Sequence, residues 1–179
     1  MGEQMKTAVS LFAGVGGFDL ALQNAGVKVV ASVEIDKKAQ DVLRRHFPDS
    51  TIFGDITGVT GEQLRAAGFE PENGIITGGF PCQPFSVAGK RRGAADDRAL
   101  WPEMLRVIDG AKPAFVLGEN VAGIVSMELD NILSDLEALG YAAWPLVIPA
   151  CAVDAKHRRD RVWIIARRSV GDSAGEGLS

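Results

Sequence analysis

The sequence predicts an α/β fold, in which a mostly parallel seven-stranded sheet carries helices on both faces. Short apolar or β-branched runs alternate along the chain with segments whose apolar residues recur at helical spacing. Glycine, proline or aspartate separates most of these segments, as expected at turns. Alternation of this kind is typical of parallel sheets, because parallel strands need a crossover connection that usually holds a helix.

The predicted strands share an apolar or β-branched composition and are too short for helices. Glycines follow the first run directly, and acidic residues follow the second and third. The last strand comes after a basic segment. The predicted strands are 6–12, 27–33, 51–53, 74–77, 113–118, 141–148 and 161–166.

Helices are predicted between the strands. Gly26 ends the first helix, Asp36 is placed to cap the second, and Pro48 prevents the second from continuing. Leucine and isoleucine recur every three or four residues in the last helix. The predicted helices are 18–25, 37–46, 61–67, 99–110 and 129–139.

Length and composition indicate one globular domain. The chain has 179 residues, of which 46% are hydrophobic and 23% are charged. We expect a domain over 1–168 and a disordered tail over 169–179, since the tail is rich in glycine, serine and acidic residues. No apolar run reaches the roughly 18 residues of a membrane span, and the first residues lack the apolar stretch of a secretory signal.

The number of cysteines and the net charge argue against several classes of function. Two cysteines and two histidines, none at finger spacing, argue against a disulfide framework and a metal site, and a reducing, cytoplasmic location is expected. The net charge of −4 argues mildly against strong nonspecific DNA binding by this chain alone. Basic residues nevertheless cluster in two segments, 90–98 and 156–161.

The glycine turn after the first strand is suited to close approach of a ligand. Gly14, Gly16 and Gly17 permit backbone conformations that other residues avoid. The dinucleotide fingerprint would need a glycine at position 19, where Asp19 stands, so NAD is disfavoured. A carboxylate there would suit a cationic or zwitterionic ligand better than a pyrophosphate.

Two carboxylates follow the next two strands. Glu34, after the second strand, is placed to accept hydrogen bonds from ribose hydroxyls. Asp55, after the third strand, is placed to accept a hydrogen bond from an adenine amino group. Taken singly, each residue is more often an ordinary surface carboxylate, and only their order along successive strands makes them a candidate site.

Cys82 lies between two prolines, directly after the fourth strand. Pro81 and Pro84 restrict the backbone on both sides of the thiol. A lone cysteine is more often a small buried hydrophobe, and that is the expectation for Cys151, which has apolar neighbours.

A series of motifs together resembles the DNA cytosine-C5 methyltransferases. They occur in the family's order and cover about residues 6–168: Phe-Ala-Gly-Val-Gly-Gly (12–17), Glu-Ile (34–35), Asp-Ile (55–56), Gly-Phe-Pro-Cys-Gln-Pro-Phe-Ser (79–86) and Glu-Asn-Val (119–121), followed by Arg-Asp-Arg (159–161). The resemblance implies a Rossmann-like methyltransferase fold that uses S-adenosylmethionine. It departs at position 157, where His157 replaces the usual glutamine.

The resemblance also implies roles for individual residues. Cys82 is the expected nucleophile, Glu119 the acid beside cytosine N3, and Arg159 and Arg161 the pair that contacts cytosine O2 and braces the site. The basic loop 87–98 would meet DNA phosphates. The expected S-adenosylmethionine pocket consists of Phe12, Gly14, Gly16, Gly17, Glu34, Ile35, Asp55 and Ile56.

Three alternatives for activity follow from the resemblance, because family members continue into a target-recognition domain and a final helix. The chain is a minimal DNA (cytosine-5-)-methyltransferase acting on double-stranded DNA, or a catalytic subunit whose partner polypeptide carries the target-recognition domain. The third alternative is a noncatalytic module, which is either a decayed fragment or a scaffold that binds cofactor or DNA without turnover. A tRNA-methylating relative is a further possibility, which the loop around Cys82 disfavours weakly.

Overall fold

A computed structural model describes residues 5–81 and 100–169. The predicted nucleophile Cys82, the basic loop 87–98 and the tail beyond Ser169 lie outside the described residues. Within these two ranges no helix is long and apolar enough to cross a membrane.

Seven strands and six helices are described. The strands are β1 (Thr7–Leu11), β2 (Lys28–Val33), β3 (Thr51–Phe53), β4 (Gly74–Gly78), β5 (Phe115–Val121), β6 (Tyr141–Pro149) and β7 (Asp160–Arg168). The helices are α1 (Gly17–Asn24), α2 (Lys37–His46), α3 (Gly61–Ala66), α4 (Trp101–Ala111), α5 (Ile124–Met127) and α6 (Leu129–Ala138). Short 3-10 turns occur at Ile56–Gly58, Pro71–Asn73 and Ala150–Val153.

The strands form one mixed sheet in the order β3-β2-β1-β4-β5-β7-β6. The pairs β1–β2, β1–β4, β2–β3 and β4–β5 are parallel, whereas β7 is antiparallel to both of its neighbours. The predicted mostly parallel sheet is therefore confirmed. The strand order reverses direction between β1 and β4, and ligands of open α/β sheets bind outside the carboxyl ends at such a point.

Helices pack on both faces, but they cover the two faces unequally. The larger core joins the sheet to α3, α4 and α6, through residues such as Leu64, Met104 and Leu136. On the opposite face, Leu22 of α1 packs on β1, β2 and β4, and Leu43 of α2 belongs to a smaller cluster. Over β5, β7 and β6 that second face has no helix among the described residues.

Two local predictions are wrong. The predicted fifth strand ends at residue 118, whereas β5 continues to Val121 because β7 pairs with it in antiparallel register as far as Arg161. Glu119 is consequently a strand residue. Cys151 is an exposed free thiol, since Ala150–Val153 forms a 3-10 turn at the edge of the sheet where its apolar neighbours do not cover it.

Candidate active site

The glycine turn after β1 has the backbone conformation that its composition predicts. Gly14 and Gly16 have φ angles of 56° and 93°, in the left-handed region that favours glycine. A Cβ atom on Gly16 would lie 2.3 Å from the Phe47 ring. Phe12, immediately before the turn, has a φ of 53°, which is uncommon for an aromatic residue and costs backbone energy.

Glu34 organises this turn as well as facing it. Its Oε2 accepts a hydrogen bond from the Gly14 backbone N–H at 2.7 Å, and its Oε1 accepts one from the Asp36 N–H at 2.8 Å. Gln40 donates from Nε2 to the Glu34 carbonyl at 2.6 Å. A carboxylate has about four lone-pair positions, so both oxygens retain acceptor capacity for hydroxyl groups of a ligand.

Asp55 and Ile35 lie beside Glu34 at the same edge of the sheet. Asp55 accepts a hydrogen bond from the Thr57 N–H at 2.9 Å, which lowers the pKa of its carboxyl below the ordinary value. The side chain is therefore a charged acceptor at neutral pH. The Ile35 side chain is 72% exposed, although isoleucine is among the residues most often buried. Ile56, by contrast, is buried in the core.

Asp19 does not face this edge, contrary to its predicted role toward a cationic ligand. Asp19 belongs to α1, and its side chain is fully buried between that helix and β2. Its Oδ1 accepts a hydrogen bond from the Ser32 hydroxyl at 2.5 Å. The Ser32 hydroxyl also lies 3.1 Å from the Ser50 hydroxyl. Asp19 thus ties α1 to β2, below the glycine turn.

A second group of polar residues lies where β5 and β7 pair. Glu119 Oε1 forms an ion pair with Arg161 Nε at 2.7 Å, and each side chain is about three-quarters buried. In the register of β5 and β7, Glu119 lies opposite Trp163, whose ring contacts Phe18 edge-on at 5.9 Å. The Glu119 carboxylate therefore has Arg161 as its charged partner and Trp163 as its neighbour on the adjacent strand.

The residues that lead to Cys82 are fixed next to this ion pair. A Cβ atom on Gly79 would lie 3.2 Å from Glu119 Oε2, so glycine lets the backbone pass close to the carboxylate. The buried Asn120 donates from Nδ2 to the Phe80 carbonyl at 2.9 Å. The Phe80 ring is buried against Trp101, with the ring centroids 5.2 Å apart. The chain thus passes Glu119 and Asn120 two residues before Cys82.

Arg159 does not share the geometry of Arg161. Residues two apart on an extended segment project the same way, but β7 begins only at Asp160 and does not include Arg159. Arg159 has a φ of 38°, in the left-handed region, and is exposed. The alternation of a strand therefore does not reach it. Among the predicted catalytic residues that the structure describes, Glu119 and Arg161 contact each other directly, and in the predicted cofactor pocket Glu34 contacts Gly14.

The sequence did not reveal the residues that support Glu119 and the segment leading to Cys82. Asn120 and Phe80 were visible only as parts of motifs, and no pattern indicated that they bond to each other. Trp163 gave no signal, since it looks like any apolar strand residue. Its position opposite Glu119 depends on the pairing of β7 with β5, which sequence spacing does not reveal.

Comparison with known proteins places these motifs in a family. The family model of the C-5 cytosine-specific DNA methylases matches residues 6–173. Type II methyltransferase M.HhaI of Haemophilus parahaemolyticus is 35% identical over 90% of this chain and 49% of its own length. For M.HgiBI of Herpetosiphon aurantiacus the values are 36%, 88% and 36%. The chain thus spans about a third to a half of the length of these relatives.

Solved structures support the same assignment. A putative DNA modification methyltransferase encoded within an E. coli prophage is 29% identical, with a TM-score of 0.75 over 91% of this chain and 47% of that one. A DNMT2 variant of Spodoptera frugiperda, 22% identical, has a TM-score of 0.76 over 97% and 53%, which supports the Rossmann-like fold alone. Because the family model matches nearly all of the sequence, the chain belongs to the C-5 cytosine-specific DNA methylase family.

Proposed function

We propose that this chain transfers a methyl group from S-adenosylmethionine to C5 of cytosine in double-stranded DNA. The observation that carries the proposal is the Glu119–Arg161 ion pair beside Gly79 and Phe80. It brings an acid and a cation to the point from which the chain continues to Cys82. The family assignment and the predicted motif roles support the same chemistry.

The carboxyl edge of β1, β2 and β3 fits S-adenosylmethionine. Glu34 has acceptor capacity for the two ribose hydroxyls, and Asp55 is a charged acceptor for the adenine amino group. The exposed Ile35 offers an apolar surface to the adenine ring, and the backbone of the Gly14 turn allows close approach. When bound, this cofactor supplies an electrophilic methyl group on its sulfonium.

The protein must make cytosine C5 nucleophilic. In the proposed reaction the Cys82 thiolate forms a bond to cytosine C6, and Glu119 donates a proton to N3, so that the ring becomes an enamine. After the methyl group has moved to C5 and left S-adenosylhomocysteine behind, the C5 proton passes to water and the N3 proton returns to the Glu119 carboxylate. The Cys82–C6 bond then breaks and the thiolate is regenerated. Arg161 holds the Glu119 side chain in place at 2.7 Å.

Access to the base requires that it leave the duplex. A thiol on a loop cannot reach C6 inside stacked DNA, so the target cytosine must be flipped into the site. The basic residues of 90–98 and 156–161 are suited to phosphate contacts. Arg159, exposed immediately before β7, is available for contact with cytosine O2 or with the DNA backbone.

Transfer of labelled methyl from S-adenosylmethionine to mixed-sequence duplex DNA tests the proposal. We expect the chain to methylate DNA and to be trapped covalently by DNA that contains 5-fluorocytosine. Cys82→Ser should abolish both, whereas Cys151→Ser, at the exposed second thiol, should change neither. Trapping that survives in Cys82→Ser would refute the nucleophile, and transfer to tRNA in place of DNA would refute the substrate.

One observation favours a second candidate, in which the chain is a catalytic subunit that needs a partner polypeptide. A groove of about 480 Å³ runs along α1 and is lined by apolar residues such as Phe18, Leu22, Ile75 and Trp163, with Glu119 among them. The small residues Gly17, Ala21 and Ala25 also line it, which would allow a helix to pack closely.

Cofactor binding separates the two candidates. If calorimetry shows that the chain binds S-adenosylmethionine but transfers no methyl group, a partner that carries the target-recognition domain is needed. If the chain binds neither cofactor nor DNA, it is a decayed fragment, and both candidates fail.

A further inference from the structure

Arg106 connects α4 to the turn that carries Asp55 and Ile56. Its guanidinium donates from Nη2 to the Ile56 carbonyl at 2.7 Å and from Nη1 to the Val59 carbonyl at 2.8 Å. The two carbonyls bracket the 3-10 turn Ile56–Gly58. Its third side-chain nitrogen, Nε, donates to Glu103 Oε2 at 2.8 Å on the same helix. One planar group thus holds both ends of the turn.

The helix that presents Arg106 is a rigid support. Four of its residues, Met104, Val107, Ile108 and Ala111, are completely buried. Its first residue, Trp101, donates from Nε1 to Asp135 of α6 at 2.8 Å. The stem of Arg106 therefore projects from a part of the core that has little freedom to shift.

The turn, by contrast, has few bonds of its own. Asp55 caps its start through the Thr57 N–H at 2.9 Å, and Val59 donates back to the Ile56 carbonyl at 3.0 Å. Asp55 itself is exposed, and the hydrogen bonds that fix the direction of its side chain come from Thr57, a residue of the turn. The position of Asp55 then depends on the turn behind it, and the turn depends on Arg106.

We propose that Arg106 is a positioning residue for the adenine side of the cofactor site, acting through the Ile56–Val59 carbonyls on Asp55. The inference rests on the proposed use of S-adenosylmethionine. Arginine is required because its fork reaches two carbonyls at once, whereas a lysine ammonium is a single point donor. The three described hydrogen bonds of Arg106 all go to protein atoms, so we expect it to act through Asp55 on which base the site prefers.

Binding of S-adenosylhomocysteine and of its inosine counterpart to Arg106→Lys tests this role. The inosine compound carries a carbonyl where adenine has the amino group that Asp55 would accept from. We expect Arg106→Lys to bind S-adenosylhomocysteine about tenfold more weakly and to lose most of the preference for adenine over hypoxanthine. A role in stability alone would weaken both ligands equally and leave the preference intact, and that result would overturn the proposal.

Two matched variants separate the carbonyl bonds from general packing. Arg65→Met removes another arginine that reaches α4, through Nη1 to the Gly110 carbonyl at 3.1 Å, but it leaves the turn untouched. Glu103→Gln removes the ion pair and leaves the carbonyl bonds in place. Both should keep wild-type affinity and preference. An equal loss in Arg65→Met would contradict the assignment.

Amide hydrogen exchange without ligand keeps the inference independent of the proposed function. In Arg106→Lys the amides of Thr57, Gly58 and Val59 should exchange at least tenfold faster than in the wild type, while amides of β1 are unchanged. If the wild type binds no S-adenosylhomocysteine, the proposed cofactor is wrong. Faster exchange in Arg106→Lys would still establish that Arg106 holds the Ile56–Val59 turn. Unchanged exchange at these three amides would overturn the inference in either case.

Discussion

Glu119 and Arg161 illustrate how single residues gain their chemistry from their neighbours. A carboxylate at a strand end is ordinarily solvated and unremarkable in function. Here the antiparallel pairing of β5 and β7 brings an arginine to 2.7 Å and an indole to the opposite register position. Because Gly79 has no side chain, the strand that leads to Cys82 passes close to the same carboxylate.

Glu119→Gln should reduce methyl transfer much more than cofactor binding. The amide keeps the size of the side chain but has no acidic proton for N3, and general acid catalysis typically contributes a factor of about 100 or more. Single-turnover transfer and calorimetry with S-adenosylhomocysteine measure the two effects. Glu128→Gln, near the start of α6, is the control. If turnover and cofactor affinity fell together, Glu119 would be structural.

At the scale of elements, Tyr141 fastens the edge of the sheet. It is the first residue of β6, and its hydroxyl donates to the Pro113 carbonyl at 2.8 Å, in the segment that precedes β5. Burial raises the pKa of Tyr141 to about 12. The folded protein therefore favours the neutral phenol over the phenolate more strongly than the unfolded chain does.

Stability should decline at high pH because of this group. The ordinary tyrosine pKa is about 10, so the stabilisation is fully present below pH 10 and is lost as the pH rises from about 10 to 12. A difference of about two pKa units corresponds to about 2–3 kcal/mol of unfolding free energy. Urea unfolding of wild type and Tyr141→Phe at pH 8, 10 and 11 measures it.

The two proteins should converge as the pH rises. At pH 8 Tyr141→Phe should be less stable by about 1 kcal/mol, the usual net value of one hydrogen bond. At pH 11 the difference should shrink or reverse, since only the wild type has a buried phenol to ionise. A difference that is constant from pH 8 to pH 11 would contradict the assignment to Tyr141.

At the scale of the whole molecule, the described helices cover only part of the sheet face that carries α1, and they leave β5, β7 and β6 uncovered there. Trp144, Leu146 and Ile165 are 53%, 46% and 39% exposed on the face that carries α1. They adjoin the groove beside Phe18 and Trp163. Sheets with parallel strands are ordinarily covered on both faces, and we expect a contiguous apolar surface of this kind to be an interaction site.

The double substitution Leu146→Lys and Ile165→Lys should leave the isolated chain folded. Changes on an exposed surface alter stability by about 0.5 kcal/mol or less, so thermal unfolding should shift little, while binding of the apolar dye ANS should fall. Leu136→Lys, on the covered face, should unfold the domain. If the double variant also unfolded, this face would be covered within the chain, which would argue against a partner there.

Local patterning by itself determined most of the fold. Each of the seven strands and the five longer helices was predicted near its observed position, because apolar periodicity, the Asp36 cap and the glycine and proline punctuation act over a few residues. The same local signals identified the glycine turn, Glu34 and Asp55 as candidates and drew attention to Cys82. Motif resemblance added Glu119, Arg159 and Arg161 and implied the role of Cys82, and these catalytic roles remain predictions.

Tertiary structure alone decided which of these residues meet. The antiparallel insertion of β7 beside β5 extended β5 through Glu119 and gave it Arg161 and Trp163 as neighbours. Tertiary structure also left Arg159 outside β7, with a left-handed backbone conformation. It buried Asp19 between α1 and β2 and joined Arg106 to the turn after Asp55. These contacts join residues from 13 to 50 positions apart in the chain. Local periodicity carries no information over such separations, because strand order and register are set by packing of the whole sheet.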